Sequence, residues 1–247
     1  MCVIYFAYET HPDHPLILLA NRDEFYDRPT AAAAYWEDYP EIYAGRDLVA
    51  GGTWLGITRG GRIAAVTNYR DPSAPKGNRS RGDLVADFLK SDEAPAKYLS
   101  GVEQRALQYS GFNLIAGDLG TDSGGMFYFS NRGNGIRRLE PGIYGLSNHL
   151  LDTPWPKVAR GKGRFQELLT SRVDIETMFE LLRDESLADD ADLPDTGIGY
   201  EKEKALSAIF IKTPIYGTRC SNVVTFDRSG AGKLLERAVR TKLETKN

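Results

Sequence analysis

Residues 16–30, LILLANRDEFYDRPT, decide how this chain folds. The apolar run at 16–21 predicts a strand, because it is short and is preceded by the turn-forming segment ETHPDHP at 9–15. Directly after this run, five charged residues fall within the seven positions from Arg22 to Arg28. Charged groups at the boundary of a core need partners. The stretch therefore predicts a polar site at the end of a buried strand, with a salt-bridged turn as the simpler alternative.

The orientation of the charged side chains follows from strand geometry. Successive side chains of an extended strand point to opposite faces of the sheet. If the strand continues through the charged cluster, Asn21 and Asp23 share one face, whereas Arg22 and Glu24 share the other. The sequence alone leaves open which of the two pairs faces the site.

Further strands and two helical blocks are predicted along the rest of the chain. Strands are predicted at 2–8, 16–21, 54–58, 62–68, 112–118, 126–131, 143–147, 205–212 and 221–227. Helical spacing predicts one block from Ser80 to about residue 109 and another over about 155–184. Because strands and helices are clustered rather than alternating, the order favours an α+β fold with antiparallel sheets and helices on their outer faces. We expect one domain over residues 1–247, with a frayed tail at 241–247.

The composition excludes several classes of function. Hydrophobic residues make up 41% of the chain, charged residues make up 26%, and the net charge is −3, so nothing predicts nucleic-acid binding. The N-terminus lacks the features of a signal peptide, and no apolar run reaches the roughly 18 residues of a membrane-spanning helix. Two cysteines do not form a disulfide framework. We therefore expect a cytoplasmic protein with a small-molecule partner, no nucleic-acid partner and no integral membrane segment; its oligomeric state is unknown.

Cys2 follows the initiator Met1, and the chain has one other cysteine, Cys220. Removal of Met1 would leave a free α-amine a few ångströms from the Cys2 thiol. The reference pKa of an α-amine is about 7.7–8.0 and that of a thiol about 8.5, so the amine can accept the thiol proton near neutral pH. Cys2 is therefore a candidate nucleophile that carries its own base, with a small apolar strand residue as the alternative.

Several polar side chains at strand ends are candidates for the rest of such a site. Asn68 and Asn148 carry amides that could act as oxyanion donors, although an asparagine at a strand end is more often a turn former. Arg219 could act on the sulfur as a cation. Four residues are assigned to substrate binding, namely Asn21, Glu24, Trp54 and His149. Packing is the alternative for Trp54, and a surface or structural role is the alternative for His149. The three histidines do not form a metal set, and no phosphate-binding loop is present, so we expect neither metal nor cofactor.

A family resemblance is carried by motifs that span nearly the whole chain in order. They are MCVIYF, LANRDEFYDRPT, GGTWLGI, AAVTNYRDP, RGDLV, GFNLIAGD, YGLSNHLLDTPWPKV and YGTRCSN. Together they resemble the NRDE family, whose animal member is transport and Golgi organization protein 2. That family in turn looks like a distant branch of the cysteine N-terminal nucleophile (Ntn) hydrolases, such as penicillin V acylase and bile salt hydrolase. The resemblance implies a four-layer αββα sandwich, with two antiparallel sheets between helical layers.

The resemblance also implies roles for individual residues. The acylases have a nucleophilic cysteine after the initiator methionine, an arginine and an aspartate at the end of the second strand, two asparagines and a late arginine. The matching positions here are Cys2, Arg22, Asp23, Asn68, Asn148 and Arg219. The chain departs from the acylases because its arginine and aspartate are adjacent and would face opposite ways in an extended strand. Either Arg22 with Glu24 or Asn21 with Asp23 is the pair that geometry allows beside the nucleophile.

Two functions from different classes follow. The leading hypothesis is a cysteine N-terminal nucleophile hydrolase that acts on a small amide, thioester or acyl conjugate. The alternative is a non-catalytic carrier that binds a lipid, an acyl-CoA or a haem-like hydrophobic ligand, linked to transport and Golgi organisation. A structural interaction protein is a third hypothesis.

Overall fold

The computed structural model describes residues 2–121, 124–170 and 173–239. The strands are β1 (Cys2–Tyr8), β2 (Leu16–Phe25), β3 (Thr30–Tyr35), β4 (Ile42–Asp47), β5 (Leu55–Thr58), β6 (Arg62–Asn68), β7 (Phe112–Asp118), β8 (Gly125–Ser130), β9 (Arg137–Arg138), β10 (Gly142–Leu146), β11 (Tyr216–Phe226) and β12 (Gly232–Ala238). The helices are α1 (Arg81–Lys90), α2 (Pro95–Gln104), α3 (Pro156–Leu168), α4 (Ile175–Leu182) and α5 (Tyr200–Ala205).

The strands form two antiparallel sheets. The first sheet has the order β10-β1-β2-β11-β12, and the second has the order β3-β4-β5-β6-β7-β8-β9. Helices α3 and α4 pack on the outer face of the first sheet, while α1 and α2 pack on the outer face of the second. The layers therefore follow the order helix, sheet, sheet, helix. This confirms the four-layer αββα sandwich that the clustered order and the family resemblance predicted.

The two central strands of the first sheet show how the sequence specifies these layers. Ile4 and Leu18 point into the core between the two sheets. Val3 and Leu19, at neighbouring positions, point to the other face and pack among residues of α3 and α4. Each strand is buried on both faces, so LILLA reads as a continuous apolar run rather than as an alternation.

Eight of the nine predicted strands are confirmed, and the prediction at 205–212 is wrong. That apolar stretch begins at the end of α5 and continues as turns and bends, although Ile209 is fully buried. Its backbone groups bond elsewhere: the Ile209 carbonyl accepts from the Asn21 side chain, and the Ile211 amide donates to Thr218 Oγ1. Tertiary hydrogen bonds of this kind satisfy a buried backbone without a strand partner.

The elements that sequence reasoning missed have weak local signals. β3, TAAAAY, is rich in alanine, which is depleted in strands, and β12 carries three charged residues among seven. The predicted helix start at Ser80 is confirmed, since its side chain accepts from the Gly82 amide at 3.2 Å. The second helical block divides into α3 and α4. The predicted tail at 241–247 lies outside the described residues.

The contact between α3 and β1 leads to a stability prediction. A methyl group added at Gly161 would overlap the ring of Tyr5, which is fully buried and donates its hydroxyl to the Lys157 carbonyl at 2.7 Å. We expect Gly161→Ala to lower the free energy of unfolding by about 1–3 kcal/mol because of this overpacking. Gly163, on the same helix, has no atom within 4 Å of such a methyl group.

The matched control is therefore Gly163→Ala, which should raise stability by about 0.5–1 kcal/mol through helix propensity. Chemical denaturation of the two variants measures both effects. Equal stability of the two variants would contradict the close packing of α3 on β1.

Candidate functional site

A cavity of about 340 Å³ lies at one end of the sandwich, where strands of both sheets end. The first sheet contributes Cys2 and residues 22–24, and the second sheet contributes Asp47 and Asn68. The start of α1, at 80–82, completes the lining. The site is thus assembled from segments that are far apart in the sequence and that meet because the sheets are stacked.

Cys2 lies at the start of β1 and contributes to this lining. It is in register with Arg22 of β2, which is in register with Cys220 of β11, so the two cysteines flank the arginine on one face of the sheet. Cys2 is 7% exposed, and burial raises the pKa of its thiol, whereas the charge of Arg22 lowers it. A thiol in this setting needs a nearby base to become a nucleophile near neutral pH.

The register between β1 and β2 determines which pair of residues lies on the same face of the sheet as Cys2. Because Cys2 and Arg22 are direct partners, Arg22 and Glu24 share its face, and Asn21 and Asp23 face the helical layer. Both Arg22 and Asp23 nevertheless line the cavity, so the expectation that only one pair could reach it is wrong. The reason is that β1, as described, begins at Cys2, so residues 23–25 have no β1 partner beside them.

The structure places Asn21 outside the cavity, in contrast to its predicted role in substrate binding. Its side-chain amide donates to the carbonyls of Leu182 and Ile209 at 2.8 and 2.9 Å. Its side-chain oxygen accepts from Ser221 Oγ at 2.7 Å. Asn21 therefore joins β2 to the segments behind the sheet and is structural.

Asp23 is a buried carboxylate at the rear of the site. Its side chain accepts from Thr218 Oγ1 at 2.7 Å, and its carbonyl accepts from the Tyr216 hydroxyl at 2.9 Å. Burial raises the pKa of Asp23 to about 6, although the nearby Lys157 ammonium and the Thr218 hydroxyl favour the charged form. The carboxylate can therefore change its charge under mildly acidic conditions.

Lys157, in the first turn of α3, is a residue that sequence reasoning missed. Its side chain is fully buried, and its Nζ has no hydrogen-bond partner among the described residues. Burial lowers the pKa of Lys157 to about 8, and the charge of Asp23 opposes this effect. Its neighbours in sequence, Pro156 and Val158, indicate an ordinary helix start, so no local signal marks it as a partner of Asp23.

Asn68 and Asn148 occupy different positions relative to the cavity. Asn68 lines the cavity, and no described residue accepts a hydrogen bond from its side-chain amide. Asn148 is fully buried outside the lining and donates its amide to the Asn68 carbonyl at 3.0 Å. Asn68 is thus the amide that can reach a bound group, whereas Asn148 holds Asn68 in place.

The segment that follows β10 links the two sheets at this end. Ser147 Oγ donates to the Cys2 carbonyl at 3.1 Å, and the Ser147 carbonyl accepts from Thr67 Oγ1 at 2.6 Å. Asn148 adds the contact to Asn68 described above. Cys2 and Asn68 are therefore connected through two consecutive residues, which we name the 147–148 bridge.

Trp54 lines the cavity, as its predicted role in substrate binding requires. His149 does not. Its Nδ1 lies 2.8 Å from Thr153 Oγ1, and its ring lies between those of Tyr69 and Trp155, at centroid distances of 4.9 and 5.7 Å. This supports the structural role that was the alternative for His149.

Arg219 also lies outside the cavity lining. It is the additional residue of a β-bulge on β11, since Thr218 and Cys220 pair with consecutive residues of β2. Its Nη1 donates to the carbonyls of Phe25, Tyr26 and Arg28 at 2.9–3.1 Å. Arg219 therefore orders the loop after β2 rather than contacting a group in the cavity.

The comparisons with known proteins agree with this architecture. A sequence profile of the family described as Transport and Golgi organisation 2 matches residues 1–241. The chain belongs to the Transport and Golgi organisation 2 family. The family resemblance seen in the sequence motifs is therefore confirmed.

Two animal members of the Transport and Golgi organisation 2 family are similar over almost their full length. The Bos taurus Transport and Golgi organization protein 2 homolog is 41% identical over 97% of this chain and 93% of its own. The Homo sapiens homolog is 40% identical over 98% of this chain and 94% of its own.

A solved structure with the same fold is the Caenorhabditis elegans N-acylethanolamine-hydrolyzing acid amidase ortholog. The TM-score is 0.53, with 95% of this chain and all of that chain covered, at 12% sequence identity. At this identity the likeness shows the fold alone, a sandwich of two antiparallel sheets between helical layers.

Two features are absent from the residues that the structure describes. None of the described helices has both the length and the apolar character needed to cross a bilayer. Within residues 2–121, 124–170 and 173–239, no three histidine, cysteine or acidic side chains are grouped so as to hold a metal ion.

The raised pKa of Asp23 leads to a prediction of pH dependence for this family member. Between the ordinary carboxyl pKa of about 3.9 and the folded value of about 6, the native state binds more protons than the unfolded state. The contribution of Asp23 to stability therefore falls as the pH rises from about 4 to about 6, by up to about 3 kcal/mol.

Urea denaturation of wild type and Asp23→Asn at several pH values measures this effect. The wild type should lose stability relative to the variant across that window. A stability difference that is constant from pH 4 to pH 6 would contradict the raised pKa.

Proposed function

We propose that the protein is a cysteine N-terminal nucleophile hydrolase that cleaves a small amide, thioester or acyl conjugate. The observation that carries the proposal is the position of Cys2, at the start of the first strand and in the lining of a cavity that also contains Arg22 and the Asn68 amide. The likeness of the fold to that of an N-acylethanolamine-hydrolyzing acid amidase ortholog agrees with the proposal, although fold alone does not establish activity.

The proposed reaction starts with removal of Met1, which leaves an α-amine on Cys2. The amine takes the thiol proton, and the sulfur attacks the substrate carbonyl. The Asn68 amide donates to the oxyanion that forms, and Arg22 stabilises negative charge on the sulfur. Asp23 stabilises the ammonium state of the amine, which then protonates the leaving group. Water hydrolyses the resulting Cys2 thioester, with the amine as base, and releases the acid.

The test uses intact-mass analysis and an activated ester. We expect the purified protein to lack Met1, and incubation with p-nitrophenyl acetate to acetylate Cys2 with release of p-nitrophenolate. Peptide mapping identifies the acetylated residue. A protein that retains Met1, or that is acetylated only at other residues, would overturn the hydrolase proposal.

The carrier alternative requires a cavity that suits a hydrophobic ligand. The lining contains five arginines and three carboxylates, with few apolar side chains. Ligand pockets for hydrophobic molecules are lined mainly by apolar and aromatic side chains. The hydrolase is therefore the function that the cavity supports better. The cytoplasmic location predicted from the sequence stays a prediction.

A further inference from the structure

The charges of the cavity are not balanced. Its lining includes five guanidinium groups and three carboxylates. The guanidinium groups belong to Arg22, Arg28, Arg46, Arg79 and Arg81, and the carboxylates belong to Asp23, Glu24 and Asp47. The balance of charge around a bound molecule depends on which of these groups neutralise one another.

Three of the arginines have carboxylate partners. Asp47 accepts from Arg28 Nε at 2.7 Å and lies 3.7 Å from Arg22 Nη2. Arg46 forms a two-pronged contact with Asp38, with both distances at 2.7 Å. Arg28 and Arg46 are therefore each paired with a carboxylate, while Arg22 shares Asp47 with Arg28.

Arg79 and Arg81 differ from the other three. Neither forms an ion pair with a carboxylate in the part of the chain that the structure describes. Arg81 donates from Nη1 to the Gly111 carbonyl at 3.1 Å, and Arg79 lies over the Tyr109 ring with 5.4 Å between guanidinium and centroid. Both of these neighbours are neutral. The five guanidinium groups outnumber the four nearby carboxylates, which belong to Asp23, Glu24, Asp38 and Asp47, so positive charge remains for a ligand.

The position of Arg81 relates these charges to the candidate nucleophile. It is half-buried, and burial lowers the pKa of Arg81, whereas the charge of a Cys2 thiolate and that of the Glu24 carboxylate oppose this effect. An arginine stays charged in either case. Ser80 and Gly82, on either side of it, also line the cavity, so the positive end of the α1 dipole adds to the charge.

We propose that the substrate carries an anionic group, which is a carboxylate, a phosphate or a sulfonate. Arg79 and Arg81 bind this group while Cys2 attacks the acyl carbon of the same molecule. As a statement about a substrate, this rests on the proposed hydrolase function. The anion site itself depends only on the two guanidinium groups. Guanidinium groups are suited to this role because their planar donors match the geometry of carboxylates and phosphates.

Calorimetric titration with acetate, inorganic phosphate and methanesulfonate, at constant ionic strength, tests the site. We expect at least one of the three to bind the wild type, and the ranking of the three identifies the anionic group. Arg81→Gln should weaken that binding about tenfold or more, as expected for loss of a charged hydrogen bond. Arg79→Gln, on an exposed side chain, should also weaken it and does not disturb the core.

The matched control is Arg59→Gln. Arg59 lies over the Tyr35 ring at 3.8 Å and lines a different cavity, so its loss removes the same charge without touching the site. Its anion affinity should equal that of the wild type. Binding by none of the three anions, or equal weakening by Arg59→Gln and Arg81→Gln, would overturn the proposal.

A Cys2→Ala variant separates this inference from the proposed function. Its anion affinity should be unchanged, since the anion contacts two arginines and not the sulfur. If the wild type binds an anion but Cys2 is never acylated, the hydrolase proposal fails and the anion site stands. If Cys2 is acylated but no anion binds, only the proposed class of substrate fails.

Discussion

The Cys2→Ala variant is expected to lose esterase and amidase activity by roughly 10⁴-fold or more, because the side chain that forms the covalent intermediate is absent. The fold should survive, since Cys2 lies at the end of β1 and its loss removes one sulfur atom from a cavity wall. A cost of about 1 kcal/mol in the free energy of unfolding is expected. Release of p-nitrophenolate and thermal unfolding measure the two effects.

Cys220→Ala is the matched control for the nucleophile. Cys220 is as buried as Cys2, at 7% exposure for both, and lies on the opposite side of Arg22 in the same sheet. Burial raises the pKa of the Cys220 thiol well above its usual value, so it stays protonated. The control should keep its activity. Similar rates for Cys2→Ala and wild type would contradict the proposed mechanism.

Glu203→Ala is expected to lower the free energy of unfolding by about 3–5 kcal/mol, the cost of breaking a buried ion pair on one side. Glu203 and Arg70 form an ion pair whose side chains are 4% and 5% exposed. Thr196 donates its backbone amide to the same carboxylate at 2.9 Å. Two other nitrogens of Arg70, Nε and Nη2, have no partner among the described residues, so the guanidinium would be left buried and uncompensated.

Glu201→Ala, on the exposed face of the same short helix, is the control and should change stability by less than about 0.5 kcal/mol. The midpoint of urea denaturation of each variant, with its slope, separates the two results. A Glu203→Ala variant as stable as Glu201→Ala would show that Arg70 finds water or another partner.

Much of the fold could be predicted because local and tertiary preferences agree. LILLA is apolar at every position and forms a strand that is buried on both faces, and Ser80 caps the helix that follows it. ALSAIFIK is also mainly apolar, but its backbone bonds to side chains from β2 and β11 rather than to a strand, and no local pattern contains that information.

The candidate site was predictable only in part, for a related reason. Cys2, Arg22 and Asn68 could be identified because the motifs that contain them resemble those of a known family. Arg81 lines the cavity because α1 begins beside it, whereas Lys157, at the start of α3, lies outside the lining and acts on the charge of Asp23. The proximity of Arg81 to Cys2 and of Lys157 to Asp23 depends on how the layers of the sandwich stack, and no short stretch of sequence predicts that stacking.

The 147–148 bridge has a consequence for how this site can evolve. It joins the backbone of Cys2 to that of Asn68 by hydrogen bonds from two adjacent residues, so a local link adds to the packing of the core in setting their spacing. Exchanges of core residues should therefore move the attacking atom relative to the amide less than they would without this link. Arg79 and Arg81 lie outside this link, on the segment that opens α1. Changes in substrate preference among related proteins should therefore accumulate at Arg79 and Arg81, while Cys2 and Asn68 stay the same.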